Sequence, residues 1–334
     1  MKKNKIIVSG IQPTAKTLHL GNYLGAVKNW VNLQNENKYY CIYFIADLHS
    51  LTSRINRNEL KENTLNLILQ LLACGINPKK SLIFIQSYNK YHTYLSWIFS
   101  CLTPIGELFR MHQFKEKSKG LRKKANAGLF TYPILQSADI LIYKAIGVPV
   151  GEDQSQHIEL SRMIARKFNN YYKVNLFPLP KGIYTKVPKI YSLSDPSKKM
   201  SKSLGERHYI ALDEDIESIK KKIKSAVTDS GPQKRMSKSV KNLFNILREF
   251  DNDSYLELLE EYKKRTLKYV YLKEKLIEAL LKFIIPFQER LKEFKNSKSE
   301  VIDIIIDGNK KAEELAYKTI SQVEEVVFSK DLSF

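Results

Sequence analysis

A short run of lysines and hydroxyl-bearing residues offers the clearest chemistry in this sequence. The segment Lys199–Ser203 has the sequence Lys-Met-Ser-Lys-Ser and follows Asp195–Lys198, which adds a further lysine. Lysines and hydroxyls on one loop can hold the β- and γ-phosphates of a nucleotide while negative charge moves onto departing pyrophosphate. On composition alone, a solvated basic loop is the commoner explanation of such a run.

A second candidate phosphate site lies near the start of the chain. Gln12–Asn22 follows the apolar run Ile6–Val8 and the pair Ser9-Gly10, so it lies where a strand turns into a helix. Ligands of open α/β sheets bind beyond the carboxyl ends of the strands, and a helix N-terminus offers oriented N–H groups to phosphate. The spacing matches neither GxGxxG nor a Walker A loop, and by itself an ordinary turn with a helix cap explains it.

A near-copy of the lysine-serine run occurs later in the chain. Arg235–Ser239 reads Arg-Met-Ser-Lys-Ser, and it leads into a helical pattern far in sequence from any predicted strand. We interpret it as a coincidental basic loop without a role at the site.

Alternating strand and helix patterns must position the first two segments. Strands are predicted at Ile6–Val8, Cys41–Ala46 and Ser81–Gln86, and helices are predicted from Gly21 onward and over Arg57–Ala73. This βαβ order predicts an α/β fold, namely a Rossmann-like doubly wound parallel sheet. Residues 91–130 break the rhythm and are interpreted as a helical insertion, apolar at first and then basic, which would suit a subunit contact.

The last third of the chain reads as helical throughout. Helices are predicted over Asp213–Val227, Lys241–Asp251, Ser254–Phe294 and Val301–Phe328, with Pro286 expected to kink or break the third of them. We therefore expect an α/β domain over 1–203, including the loop 199–203, and an all-helical domain over 204–334 whose last helix can pack back onto the first.

Composition narrows the classes of protein. Lys and Arg number 55 against 35 Asp and Glu, a net charge of +20 that favours a polyanionic partner. No apolar run approaches the roughly 20 residues of a membrane span, and Ile6–Val8 is too short for a signal peptide, so we expect a cytoplasmic protein. Cys41, Cys74 and Cys101 lack CxxC spacing and are expected to be buried, reduced thiols, and no protein metal site is predicted.

Taken together and in order, these segments resemble a known family. Gly10–Asn22 is similar to the HIGH signature of class I aminoacyl-tRNA synthetases, with Asn22 where the final His would stand, and Lys199–Ser203 matches the KMSKS signature. Between them lie further segments in the family's order: Asp47–His49, Gly106–Leu108, Gln113–Ser118, Leu135–Leu141 and Gly151–Arg162. Nearly the whole chain resembles the bacterial-type tryptophanyl-tRNA synthetases.

The resemblance implies a two-step reaction. The carboxylate of L-tryptophan attacks the α-phosphorus of ATP, pyrophosphate leaves, and the adenylate then acylates the terminal ribose of tRNA(Trp). Because the nucleophile belongs to the substrate, positioning and charge stabilisation must supply the acceleration. Mg²⁺ is expected to bridge phosphate oxygens rather than to occupy a protein cage. A homodimer and an anticodon-reading helical domain are also implied, and lysines 220, 221, 222 and 224 of that domain would add salt-dependent affinity for tRNA.

The same resemblance assigns roles to individual residues. The catalytic set is Asn22, Lys199, Ser201 and Lys202. The ATP-binding set is Gln12, Pro13, Thr14, Gly21, Asn22, Gly151, Glu152, Asp153, Ile190, Lys199, Met200, Ser201, Lys202 and Ser203. For tryptophan, Asp139 reads the indole N–H, Tyr132 and Gln154 hold the α-ammonium group, and His49 lies at the pocket rim. The remaining histidines are expected to be ordinary or structural residues: His92, His112, His157 and His208.

Two departures from the family pattern and three alternatives remain. The loop Ala15–Leu18 is one residue longer than the usual form, and Gln136 stands where some members have Met. The phosphate contacts of that loop and the substrate contact of Gln136 therefore do not carry over from the family.

Tyrosyl-tRNA synthetase shares the fold and chemistry, but its counterparts of Lys199–Ser203 and Gly151–Gln154 differ in form. A non-catalytic RNA-binding paralogue has no need of both phosphate-side signatures. A nucleotidyltransferase acting on a small acid has no need of the long helical region.

Overall fold

A parallel sheet forms the centre of the α/β region. The computed structural model describes residues 5–53, 55–112, 126–184 and 187–329. In these residues five parallel strands pair in the order β3-β2-β1-β4-β5. Their bounds are Lys5–Ile11 (β1), Tyr39–Ile45 (β2), Ser81–Ile85 (β3), Gly147–Val150 (β4) and Lys181–Tyr184 (β5). The strand order reverses between β1 and β4, which is where ligands of doubly wound sheets bind.

Helices connect the strands and form the remainder of the described chain. In the α/β region they are α1 (Leu20–Asn22), a π-helical turn (Tyr23–Val27), α2 (Lys28–Asn35), α3 (Asp47–Ser50), α4 (Arg57–Ala73), α5 (Tyr91–Leu102), α6 (Ile105–Arg110), α7 (Ala127–Leu141) and α8 (Ser155–Tyr171). They are followed by α9 (Ile216–Lys224), α10 (Lys238–Phe250), α11 (Asn252–Lys264), α12 (Tyr269–Asn296) and α13 (Lys298–Phe328). Among the described residues, no helix is both long and apolar enough to cross a membrane.

Alternate residues of each strand face two different helical layers. Ile7 and Tyr43 belong to an apolar cluster that extends through α2 and α4 into helices α9, α10 and α12. Val8 and Phe44 belong to a second cluster, formed with α5, α7, α8 and α13. Burial on both faces explains the apolar runs Ile6–Val8, Cys41–Ile45 and Leu82–Ile85 within the first three strands.

The predicted α/β fold is confirmed, and the three predicted strands lie within two or three residues of their expected bounds. The strands β4 and β5 were not predicted. Each contains a glycine and β4 also contains Pro149, which are residue types that rarely mark a strand. Gly147 packs closely on its neighbours, since a Cβ there would lie 2.8 Å from the end of the Ile183 side chain of β5 and would displace it.

The last helix, α13, lies against β3 at a point of very close approach. A Cβ on Gly308 would fall 1.9 Å from the carbonyl oxygen of Ile83. The side chain of Asn309 accepts a hydrogen bond from the backbone N–H of Ile85, at 2.9 Å. The expected return of the last helix to the sheet is therefore seen as a direct contact with an edge strand.

The expected single helix Ser254–Phe294 and the expected burial of Cys101 are wrong, and Pro286 does not break its helix. The predicted helix Ser254–Phe294 is two helices, α11 and α12, because Arg265 adopts the left-handed conformation (φ 61°) and ends the first. Pro286 lies inside α12, which continues beyond it to Asn296, so the proline does not end it. Cys41 and Cys74 are buried as expected, whereas Cys101 is exposed on α5.

Candidate active site

A cavity of about 840 Å³ opens at the reversal point of the sheet. The carboxyl ends of β1 and β4 form its floor, and the side chain of Ser9 donates a 2.7 Å hydrogen bond to the carbonyl of Pro149, which ties the two strands together. Residues from the first helix, from α7 and from the chain before Lys199 form the walls. This volume is within the range of small-molecule sites.

One wall of the cavity is the N-terminus of α1, closed by a reciprocal cap. The imidazole Nδ1 of His19 accepts a hydrogen bond from the Asn22 backbone N–H, and the Asn22 side-chain oxygen accepts from the His19 backbone N–H, both at 3.2 Å. Since Nδ1 accepts, the ring hydrogen of a neutral His19 resides on Nε2. Asn22 thus fixes the orientation of the His19 ring, which caps the N-terminus of α1.

The electrostatics of this wall keep His19 uncharged. Burial lowers the pKa of His19 to about 4, and the positive charges of Lys202 and then Lys199 act in the same direction. At neutral pH the imidazole is therefore neutral and presents Nε2–H as a donor. Sequence reasoning did not assign a role to His19, although it occupies the first position of the His-Leu-Gly-Asn signature and could have been found there.

Backbone pairing joins the first phosphate-side segment to residues 210–212, and a side-chain contact places it beside the second. The Leu20 N–H donates to the Ile210 carbonyl at 2.9 Å, and the Leu212 N–H donates to the Leu18 carbonyl at 3.0 Å. Met200 is only 2% exposed and lies beside Gly21, where an added Cβ would stand 3.6 Å from the Met200 Cβ. Two stretches far apart in sequence are thus neighbours in the fold.

The long loop of the first segment is held from both sides. Gln70 of α4 accepts hydrogen bonds from the Leu18 N–H at 2.7 Å and from the Thr17 hydroxyl at 3.1 Å, and donates to the Lys16 carbonyl at 3.0 Å. The Thr17 hydroxyl also hydrogen bonds to the carboxylate of Asp213. The extra residue therefore forms a loop anchored to α4 and to the segment C-terminal to Lys202.

The predicted ATP-binding residues separate into two groups. Eight line the cavity: Gln12, Gly21, Asn22, Gly151, Glu152, Asp153, Ile190 and Lys199. Six do not: Pro13, Thr14, Met200, Ser201, Lys202 and Ser203. Pro13 and Met200 are buried packing residues, so the structure does not place their side chains where a ligand could touch them.

Lys202 and the two serines beside it lie just off the cavity wall. The Ser201 and Ser203 hydroxyl oxygens are 2.9 Å apart, at the start of a short 3₁₀ turn over Lys202–Leu204. Burial lowers the pKa of Lys202 to about 8, and the carboxylate of Asp213 opposes that shift. Lys202 is thus a partly desolvated ammonium group close to His19.

The opposite end of the cavity contains a buried carboxylate. Asp139 of α7 is 1% exposed; its Oδ2 accepts from His49 Nε2 at 2.7 Å, and its Oδ1 accepts from His92 Nδ1 at 2.6 Å and from Gln86 Nε2 at 2.7 Å. Burial alone would raise the pKa of Asp139, but the hydrogen bonds from His49 and His92 hold it below its ordinary range. Asp139 is therefore an anion at neutral pH.

The other predicted amino-acid-binding residues surround this carboxylate. Tyr132, Gln154 and His49 line the cavity together with Asp139 and Gln136. The Tyr132 hydroxyl lies 2.9 Å from His157 Nε2, and burial raises the pKa of Tyr132 to about 12. The Gln136 amide donates to Gln154 Oε1 at 3.4 Å, and Gln154 donates to Asp153 at 3.0 Å.

The histidines outside the predicted site have different environments. His157 supports Tyr132, His208 hydrogen bonds to the Ser192 hydroxyl at 2.9 Å, and His112 is exposed. His92 is a core residue as expected, but it contacts Asp139 directly, which the sequence spacing did not indicate. The motif segment Gln113–Ser118 lies outside the described residues.

The arrangement suits an elongated ligand with two different ends. Lys199 lines one end, with Lys202 and the neutral His19 close beside it, and the positive charge favours a polyanion such as a triphosphate. A buried, ionised acceptor held by two histidines and a glutamine occupies the other end, where it favours a ligand that carries an N–H or O–H donor.

Comparison with known proteins agrees with this arrangement. The family model of class I tRNA synthetases (W and Y) matches residues 1–284. A tryptophan–tRNA ligase of Corynebacterium efficiens is 42% identical over 325 residues, 95% of this chain and 92% of that protein.

Solved structures extend the similarity over the full fold. The tryptophanyl-tRNA synthetase of Mycoplasma pneumoniae superposes with a TM-score of 0.85 at 34% identity, covering 97% of both chains. That of Campylobacter jejuni, determined with ADP and tryptophan, superposes with a TM-score of 0.80 at 34% identity, covering 96% of this chain and 98% of its own. This protein therefore belongs to the class I tRNA synthetases of the tryptophan and tyrosine family.

Proposed function

We propose that this protein is an aminoacyl-tRNA ligase that activates L-tryptophan with ATP and transfers it to tRNA(Trp). The observation that carries the proposal is the cavity lined by Asn22 and Lys199 on one side and by the ionised, buried Asp139 on the other. The Campylobacter relative, whose structure includes ADP and tryptophan, supports both substrates. Protein synthesis consumes charged tRNA, and we accordingly propose the cytoplasm as the compartment.

In the activation step the protein positions the reactants and stabilises charge. The tryptophan carboxylate attacks the α-phosphorus of ATP, the bond to the bridging oxygen breaks, and the electron pair leaves with pyrophosphate. Lys199 and Lys202 offset the charge that moves onto pyrophosphate, and the neutral His19 beside them can donate Nε2–H to a phosphate oxygen. In the second step the terminal ribose of tRNA attacks the acyl carbon and AMP leaves.

Amino acid selection rests on Asp139. A site built around one buried hydrogen bond rejects analogues that leave the acceptor unpaired, by up to roughly 10⁴–10⁵. The indole N–H is such a donor, and we assign the α-ammonium group to Tyr132 and Gln154, which line the same cavity as Asp139. A phenolic O–H could also donate to a carboxylate, so the preference for tryptophan over tyrosine is supported by the relatives.

Magnesium enters this proposal as part of the substrate Mg·ATP. Among the described residues, no group of three or more His, Cys, Asp or Glu side chains is placed to hold a metal ion. Near the phosphate end the carboxylate of Asp213 interacts with Lys202 and hydrogen bonds to Thr17, and the other groups there are lysines, serines and an imidazole. We therefore derive no step from a protein-bound metal, and the ion is expected to be coordinated by phosphate oxygens and water.

The proposal includes a homodimer and a tRNA surface. Helix α5 exposes Trp97 (70%) and Tyr94, and Phe109 of α6 is also exposed. These side chains form apolar surface of the kind that protein interfaces use.

On α9, Lys221 and Lys224 are exposed, whereas Lys220 and Lys222 form ion pairs with Glu217 and Glu214. The exposed pair is the better candidate for phosphate contacts.

A single pair of assays tests the function. ATP–pyrophosphate exchange is measured with tryptophan, with tyrosine and without an amino acid, and tRNA charging follows with the preferred amino acid. We expect exchange that depends on tryptophan and charging of tRNA(Trp). Exchange driven by tyrosine would favour the tyrosyl alternative, and no exchange with either amino acid would favour a non-catalytic RNA-binding role.

A further inference from the structure

Behind the cavity, Asp139 is held by a second histidine that the ligand cannot reach. His92 of α5 is 0% exposed, and its ring lies among Phe44, Phe84 and Tyr143. Within the described part of the chain, the cavity wall includes His49 and Asp139 but not His92. His92 therefore influences a ligand only indirectly, through its hydrogen bond to Asp139 and through its packing on Phe44, which also lines the cavity.

The hydrogen-bond partners of His92 determine where its hydrogen lies. Asn89 Nδ2 donates to the Tyr143 hydroxyl oxygen at 3.2 Å, so the Tyr143 hydrogen is free to point at His92 Nε2, 2.8 Å away. With Nε2 accepting, the hydrogen of a neutral His92 is on Nδ1, which donates to Asp139 Oδ1 at 2.6 Å. The chain Asn89, Tyr143, His92 thus ends in a donor aimed at one oxygen of Asp139.

The far end of this chain is anchored to a different part of the fold. Asn89 Nδ2 also donates to the Ala312 carbonyl of α13 at 3.3 Å, and Asn89 Oδ1 accepts from the Tyr91 N–H at 3.1 Å. Since α13 is pressed against β3 at Gly308, the amide of Asn89 has little freedom to turn. The series of hydrogen bonds from Asn89 through Tyr143 to His92 therefore fixes the Asp139 carboxylate relative to α13.

Counting acceptor sites shows what this arrangement leaves for a ligand. An ionised carboxylate offers about four lone-pair positions. His49, His92 and Gln86 occupy three of them, two on Oδ1 and one on Oδ2. We propose that His92 is a positioning residue for amino acid selection, holding Asp139 so that its one remaining acceptor site faces the N–H of the aromatic side chain. The inference rests on the proposed function and identifies His92 as a residue on which the selection of tryptophan depends.

The test compares tryptophan with 3-benzothienylalanine, an analogue of nearly the same shape in which sulfur replaces the indole N–H. Selectivity is the ratio of kcat/KM values for the two compounds in ATP–pyrophosphate exchange. His92→Leu removes the donor to Asp139, and we expect the ratio to fall about 10- to 100-fold, the range of one hydrogen bond to a charged group. The loss should appear in KM for tryptophan, with KM for ATP changing less than about twofold.

A conservative variant and a milder one separate positioning from folding. His92→Asn places an amide nitrogen near the position of Nδ1, and we expect it to restore most of the selectivity. Tyr143→Phe keeps the ring and removes only the hydroxyl that orients His92, and a decrease of a few-fold is expected. Phe99→Leu is the matched control on α5, because Phe99 packs on Phe168 and Phe177; it should lower Tm and leave the ratio unchanged.

The outcomes are distinct. If His92→Leu is folded and retains the wild-type ratio, or if His92→Asn is as unselective as His92→Leu, His92 does not position Asp139 and the inference is overturned. If Phe99→Leu lowers the ratio as much, selectivity follows general packing and the inference is again overturned. If the wild-type protein itself does not activate tryptophan, the proposed function fails instead.

Discussion

The sequence Met-Ser-Lys-Ser occurs twice in this chain, at 200–203 and at 236–239, and the same four residues fold differently in the two places. In both copies the two serine hydroxyl oxygens lie 2.9 Å apart, so the local contact is shared. The surroundings differ. Beside the cavity the copy forms a turn held by neighbouring backbone, whereas in the helical region it begins a helix.

The copy beside the cavity is shaped by the strand-like segment before it and by a glycine after it. The Met200 N–H donates to the Ile190 carbonyl at 3.0 Å, and Ser201 is extended. The turn at Lys202–Leu204 ends at Gly205, whose φ of 100° and ψ of 165° are accessible almost only to glycine. The ammonium group of Lys202 is thereby kept close to the protein and to His19.

The second copy is shaped by the helix on its C-terminal side. Ser237 caps α10 by accepting from the Val240 N–H at 3.3 Å, and Lys238 is the first helical residue. An apolar stripe then continues along the helix through Val240, Leu243 and Leu247, all buried. Lys238 points outward and is exposed, so the same tetrapeptide has a structural role here.

The largest expected difference between the copies concerns their lysines. We expect Lys202→Ala to raise the barrier to adenylate formation by about 3 kcal/mol, the contribution of one preorganised donor to a transition state. Lys238→Ala, the matched change in the other copy, should remain close to wild type. Single-turnover formation of the adenylate measures both.

Tryptophan binding distinguishes a transition-state role of Lys202 from a binding role. Its dissociation constant should be nearly unchanged in Lys202→Ala, because the lysine lies at the phosphate end of the cavity. An equal loss in tryptophan affinity would show that the lysine serves binding, and an equally slow Lys238→Ala would remove the distinction between the two copies.

The pH dependence sharpens the comparison further. Because burial lowers the pKa of Lys202 to about 8, its ammonium form is present below that pH and is lost as the pH rises through it. We expect kcat/KM for ATP to fall by nearly tenfold per pH unit above about 8. In Lys202→Arg the guanidinium stays charged, so the fall should be absent. Identical profiles for the two proteins would assign the fall to another group.

The fold was largely predictable from the sequence, and the errors of prediction have physical causes. Strands buried on both faces leave long apolar runs, which is why β2 was found; β4, with Gly147 and Pro149, lacks that signal. The break between α11 and α12 depends on one left-handed residue, Arg265, that has no sequence signature. Pro286 stays inside α12, where Ile284 and Phe287 on either side of it are both buried.

The sequence motifs predicted which segments form the candidate site. They did not predict which side chains face the cavity or contact one another. The signatures located Gln12, Asn22 and Lys199, which the structure places on one cavity. They could not show that Met200 is a packing residue, since a motif does not tell which members face the ligand. His92 was missed because it joins Asp139 from a different helix, and only the tertiary fold creates that pair.

The smallest expected effects concern the first serine of each copy. In the second copy its loss should lower stability, and in the first copy its loss should lower the rate. Ser237→Ala removes the cap of α10 and should lower the free energy of unfolding by about 1 kcal/mol, while adenylate formation stays within about twofold of wild type. Ser201 makes no side-chain cap bond at its short turn, so Ser201→Ala should leave stability within about 0.5 kcal/mol and slow adenylate formation instead. Urea unfolding measures the stability of both variants, and single-turnover assays measure their rates of adenylate formation. Equal losses of stability in the two variants would mean that the hydroxyl pair common to both copies, rather than the helix cap, is what stabilises each segment.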